Sequence, residues 1–134
     1  MNSQMLGNLP PNTVTALTSL GDISGWRFFT KMTDLVALRP TDAWIFADET
    51  MYSMNDGYLQ MALNSPKFLD YPANYHGGGN CFSFADGHAE SHKWKGVLVG
   101  IPYAKGVTHT SNGDPSVSGS DPDWLWLKAH TSIR

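Results

Sequence analysis

His76-Gly-Gly-Gly-Asn-Cys-Phe-Ser-Phe-Ala-Asp86-Gly87-His88-Ala-Glu90-Ser-His92-Lys-Trp94 is the stretch whose reading decides the fold. Asp-Gly between two alternating runs is a strong short-range hairpin signal, because both residues tolerate positive φ. With Asp86 and Gly87 as a two-residue loop, Ala85 pairs with His88, Phe84 with Ala89, Ser83 with Glu90, Phe82 with Ser91 and Cys81 with His92. That register puts Phe82, Phe84 and Ala89 on a core-facing side and Ser83, His88, Glu90 and His92 on the other. The glycines at 77–79 predict a segment that bends sharply or lies against another backbone.

Outward from the hairpin, Thr41-Asp-Ala-Trp-Ile-Phe-Ala-Asp48-Glu49 holds an apolar run from Ala43 to Ala47 bounded by acids, which predicts a buried central strand. Asn55-Asp56-Gly57 is a second turn signal before a short strand at 58–62, and Pro66 and Pro72 mark a surface loop over 64–74. Upstream, Trp26, Phe28, Phe29, Met32, Leu35 and Val36 recur at spacings of three and four. They predict a short amphipathic helix over 26–34, with an irregular aromatic segment as the alternative, stopped by Arg39-Pro40. Thr13 to Leu20 is a further short helical piece. Asp123-Trp-Leu-Trp-Leu-Lys-Ala-His130-Thr131 closes the chain as a helix with Asp123 as its N-cap and His130 near its C-terminus. Strands in the middle and helical pieces at the ends indicate an α+β fold with an antiparallel sheet, one domain over 1–134. Within it, 1–39 is an irregular or helical lead-in, 40–95 the sheet core and 107–123 an acidic loop.

Composition narrows the function. The 134 residues carry a net charge of −3, with nine scattered Lys and Arg, which does not fit a general nucleic-acid binder. Cys81 is the only cysteine, so an intramolecular disulfide and a cysteine-based zinc site are excluded, and its expected role is that of a small strand residue. No apolar run reaches the roughly 18 residues of a membrane helix, and no basic segment with an apolar block follows Met1.

Three groups of residues hold potential chemistry. His76, Asp86, His88, Glu90 and His92, with Asp48 and Glu49, supply the residue types of a zinc or iron site. Against this, Asp86 is explained as a turn residue, and His88 and His92 stand roughly 13 Å apart along one strand. The structural alternative is that His76 reaches back to the turn or to the Asp86 carboxylate. His76-Gly-Gly-Gly79 matches the oxyanion-hole motif of lipases, but the Gly-x-Ser-x-Gly elbow such enzymes require is missing. The Ser111–Asp123 loop offers Asp114, Asp121 and Asp123 among glycines and serines, a set of hard oxygens suited to calcium although not an EF-hand; otherwise Asp114-Pro115 is a turn and Asp123 a cap. Asp48-Glu49 and Asp56 could pair as general acid and base, whereas acids are common at turns. Trp124 and Trp126 are expected to pack the last helix on the sheet, with sugar stacking as the competing use.

The hairpin carries a resemblance. His76, nine intervening residues and then Asp86-Gly87 resemble the H-X9-DG domain at the C-terminus of bacterial proteins with prepilin-type N-terminal signals. The similarity extends to Trp44–Glu49, Asn55–Gly57, Tyr75-His76, Phe82–Glu90 with Lys93-Trp94, and Asp123–Leu127 with His130-Thr131. It implies a pilin-like globular head and a non-enzymatic subunit of a type II secretion or pilus-type filament, a pseudopilin, at the periplasm or cell surface. Its partners would be like subunits, other pseudopilins or secreted cargo, not nucleic acid. The structural motif residues would be His76, Asp86, Gly87 and His88, with no catalytic residue. Such proteins begin with a leader and a long apolar helix, which would be the only membrane contact; this chain contains neither and is expected to be the C-terminal part of the head. The resemblance also implies calcium at Asp114, Asp121 and Asp123 before Trp124, although Pro115 and Pro122 depart from that pattern. The rival reading is a small metal-dependent hydrolase using His76, Asp86, His88 and Asp48.

Overall fold

The computed structural model describes residues 1, 2, 4, 5, 23–51, 53, 54, 56–100 and 117–134. Their regular elements are three strands, β1 (Trp44–Ala47), β2 (Gly79–Phe84) and β3 (Ala89–Lys93), two single 3-10 turns at Met32–Asp34 and Val97–Gly100, and helix α1 (Pro122–Thr131). The strands form one antiparallel sheet in the order β1-β2-β3. This is a small α+β fold.

The predicted hairpin forms, with its register displaced by one residue. Ser83 pairs with Ala89, Phe82 with Glu90, Cys81 with Ser91 and Asn80 with His92. Phe84 N–H donates to His88 O, and Gly87 N–H returns to Phe84 O, so the loop is Ala85-Asp86-Gly87. Only Gly87 takes positive φ, at 94°, as expected where a three-residue loop ends in a left-handed glycine. A one-residue slip exchanges faces. Glu90 and His92 therefore share the face of Phe82 and Phe84, while Ala89 lies on the opposite, exposed face with Ser83 and Cys81.

The glycines act in both expected ways. Gly77 and Gly78 bend the chain at φ 64° and 85°, and a Cβ on Gly79 would land on the carbonyl of His92 across the strand pair.

β1 sits at one side of the sheet, not at its centre; β2 is the central strand. A bulge between Trp44 and Phe46 turns Trp44 fully inward and leaves Phe46 exposed. On the free side of β1, Asn2 N–H donates to Ile45 O, and the Asn2 side chain donates to the carbonyls of Trp44 and Thr131. The chain start and end thus meet over the first strand. Residues 26–34 are not a helix: Arg27 N–H and Phe29 N–H donate to Ile133 O and Gln4 O, so distant backbone takes the bonds a helix would use. The 58–62 segment makes only isolated bridges, Leu59 with Asn2 and Met61 with Phe68. Residues 64–74 do form a loop, but an inserted one, with Phe68, Asp70, Pro72 and Ala73 buried. The expected helix at 13–20 and most of the acidic loop lie outside the described residues.

α1 closes the core. Its N-cap is Asp121, not Asp123, because Pro122 fills the first helical position, where a missing N–H costs nothing. Phe82 meets Trp44, Trp94 and Trp126 at centroid distances of 5.8, 5.9 and 4.9 Å, so the central strand and the helix share one aromatic cluster. Trp124 is buried with its indole N–H on Ala62 O, and Trp44 Nε1–H reaches Thr131 Oγ1. Burying each such ring contributes on the order of 3 kcal/mol.

Candidate functional site

Where β1 ends, the ladder is continued by a side chain. Asn80, fully buried, accepts from Asp48 N–H through Oδ1 and donates through Nδ2 to Asp48 O, imitating a peptide group. This holds Asp48 beside the glycine bend, where His76 Nε2–H donates to Asp48 Oδ2 at 2.8 Å. His76 is a latch, as expected, but its partner is Asp48 and not Asp86. Asn80 was not among the residues singled out from sequence; an amide between the glycines and Phe82 is the only local sign of it.

Asp86 is committed elsewhere. Its Oδ1 accepts from both the backbone N–H and the Nδ1–H of His88, and the imidazole lies flat on Phe84 at 4.4 Å and 6°. That hydrogen bond holds the Asp86 carboxyl below its usual range. His76, Asp48, Asp86 and His88 thus form two separate pairs. No group of three His, Cys, Asp or Glu side chains among the described residues is placed to hold a metal ion.

Glu49, next to Asp48, is different in kind. One carboxylate oxygen is buried without a partner, and burial, reinforced by the nearby Asp70 charge, pushes its pKa up to about 7. Asp56 adds a smaller repulsion, but its own carboxylate accepts from Tyr58 N–H as a turn residue. A carboxyl near neutrality suits proton transfer; here the shift follows from like charge and desolvation at the base of a loop.

Two acids of the proposed calcium loop are engaged in backbone bonds. Asp123, 1% exposed, accepts from the N–H groups of Lys95, Gly96 and Leu98. Asp121 accepts from Asp123, Trp124 and Val97. Together they tie the N-terminus of α1 to the 3-10 turn at Val97–Gly100, and N–H dipoles point at the oxygens a cation would need. As placed, this pair caps α1 and satisfies the amides of the neighbouring turn. Asp114 lies outside the described residues.

His92 and His130 form an aromatic stack with Trp126. Trp126 lies between His92 at 3.9 Å and His130 at 4.2 Å, both within about 22° of parallel. His130 Nδ1–H also donates to Trp126 O. Burial lowers the His92 pKa, keeping the ring neutral over the indole. With Trp124 buried and Trp126 covered on both faces, the two indoles offer no flat platform for a sugar.

No family model, curated protein or solved structure matches this chain.

Proposed function

We propose that the chain is the head of a non-enzymatic, pilin-like subunit of a type II secretion or pilus-type filament, working at the periplasm or cell surface. The observation that carries this reading is the His76–Asp48 bond. It joins two segments of the H-X9-DG resemblance, Trp44–Glu49 and His76–Gly87, that are separate in sequence. A third, Asp123–Thr131, enters the same core through Trp126 and Thr131. A motif spent on joining β1, the glycine bend and α1 serves shape, which is what an assembly subunit presents to its neighbours.

The metal-dependent hydrolase has less support, since its four residues divide into two pairs. Calcium enters only if Asp114 brings ligands that the capping pair does not; a melting temperature raised by calcium over chelator would keep it, and an unchanged one removes it.

The test is the reading frame upstream of Met1 together with elemental analysis of the purified protein. A prepilin cleavage motif followed by an apolar helix, with no stoichiometric transition metal, is the expected result. A natural start at Met1 with neither, or bound zinc, iron or manganese lost in H76A, would overturn the assignment.

A further inference from the structure

We propose that the open edge of β3 is a self-association surface, pairing antiparallel with β3 of a second copy about a two-fold axis at Ser91. This does not rest on the filament reading, because a two-fold pair closes on itself and cannot propagate.

The phase of the β2–β3 ladder sets the geometry. Phe84 N–H to His88 O and Trp94 N–H to Gly78 O mark the hydrogen-bonded pairs, so residues 88, 90, 92 and 94 direct their backbone groups at the β2 side. The alternate residues, Ala89, Ser91 and Lys93, point N–H and C=O away from the sheet, and all three are exposed. Among the described residues nothing bonds those groups. β3 pairs regularly with β2 at all five residues, contains no proline and no bulge, and so has none of the backbone devices that blunt an edge.

Side chains choose the partner and the register. With the axis at Ser91, Ala89 faces Lys93 of the second copy and Ser91 faces Ser91, giving about six main-chain hydrogen bonds. Glu90 then lies directly opposite His92 of the second copy in a non-hydrogen-bonded pair, where side chains approach most closely. Within one chain, neither the Glu90 carboxylate nor the His92 ring nitrogens make a hydrogen bond among the described residues, so each supplies what the other lacks. Shifting the axis by one residue toward the turn sets Glu90 against Glu90, and shifting it the other way sets His92 against His92. Of these three axes, only the one at Ser91 both keeps the full strand length and avoids setting a titratable side chain against its own copy.

Sedimentation and crosslinking test this. The wild-type chain should dimerise reversibly below about 1 mM, as a small interface predicts. In a C81S background, S91C should oxidise to an intermolecular disulfide, because residues at the axis sit within the Cα span a disulfide allows. A89C should not, since its copies stand roughly 13 Å apart. S91P removes an N–H that the monomer does not use and should give a monomer with an unchanged melting temperature. Should S91P fail to fold, E90K, at an exposed position, must weaken the dimer at least tenfold. A wild-type chain that stays monomeric over the whole range, a dimer that survives S91P or E90K, or A89C crosslinking as readily as S91C would overturn the proposal.

Discussion

His76 donates to Asp48 across a separation of 28 residues, and both side chains are about half exposed, so the bond that joins the hairpin to the first strand is made in solvent. Its energetic share follows from that exposure. Ion pairs in water contribute about 0–1 kcal/mol, whereas Asn80, bonded to the same Asp48 backbone from full burial, carries the junction. H76A and D48A should each lower stability by less than about 1 kcal/mol, with a coupling of the same size in a double-mutant cycle. N80A should cost about 2 kcal/mol or more, because it removes two bonds and leaves a cavity. Urea denaturation of the four variants checks the ranking.

Asp123 predicts a larger loss. D123A leaves the N–H groups of Lys95, Gly96 and Leu98 without their acceptor, and should destabilise by about 3 kcal/mol or more. D123N keeps one acceptor oxygen and should fall between wild type and D123A in thermal unfolding.

Glu49 sets a pH dependence. Its folded pKa, about 7, lies above its ordinary 4.5, so between those values the folded chain binds more protons than the unfolded one. Stability from this group therefore falls as pH rises from about 4.5 to 7 and levels off above. E49Q should remove that slope and be more stable than wild type at pH 8. Melting temperatures from pH 5 to 8 decide it; equal slopes in both proteins would refute the assignment.

His92 acts in the opposite sense. Its folded pKa is lowered, so its contribution is complete above the ordinary 6.5 and is lost as pH falls below that value. H92F keeps a ring on Trp126 while removing the titration, and should lose less stability than wild type between pH 6.5 and 5.

Close packing at Gly79 gives a final expectation. G79A would drive a methyl into the His92 carbonyl and force β2 from β3, costing about 1–3 kcal/mol. G87A should cost less, since nothing crowds that position and only its positive φ is strained.

The sequence by itself determined the local elements. Asp-Gly placed the hairpin, the glycines marked a bend and a close approach, the aromatic run 43–47 made a strand, and the Asp and Pro residues before Trp124 started a helix. Each is a property of a few adjacent residues: φ preference, side-chain size or a capping oxygen. Tertiary structure decided everything that required choosing among equivalent partners. Two- and three-residue loops both suit Asp-Gly, and the one-residue difference moved His92 from the outer face onto Trp126. Asp121 and Asp123 are both sound caps, and the amides of Lys95, Gly96 and Leu98 claimed the second. Asp48 and Asp86 are both acids within reach of a latch, and the Asn80 bridge brought the former to His76. The 26–34 segment has helical spacing, but backbone at Gln4 and Ile133 offered its amides distant acceptors. Those choices turn on contacts separated by tens of residues, for which the local pattern carries no preference.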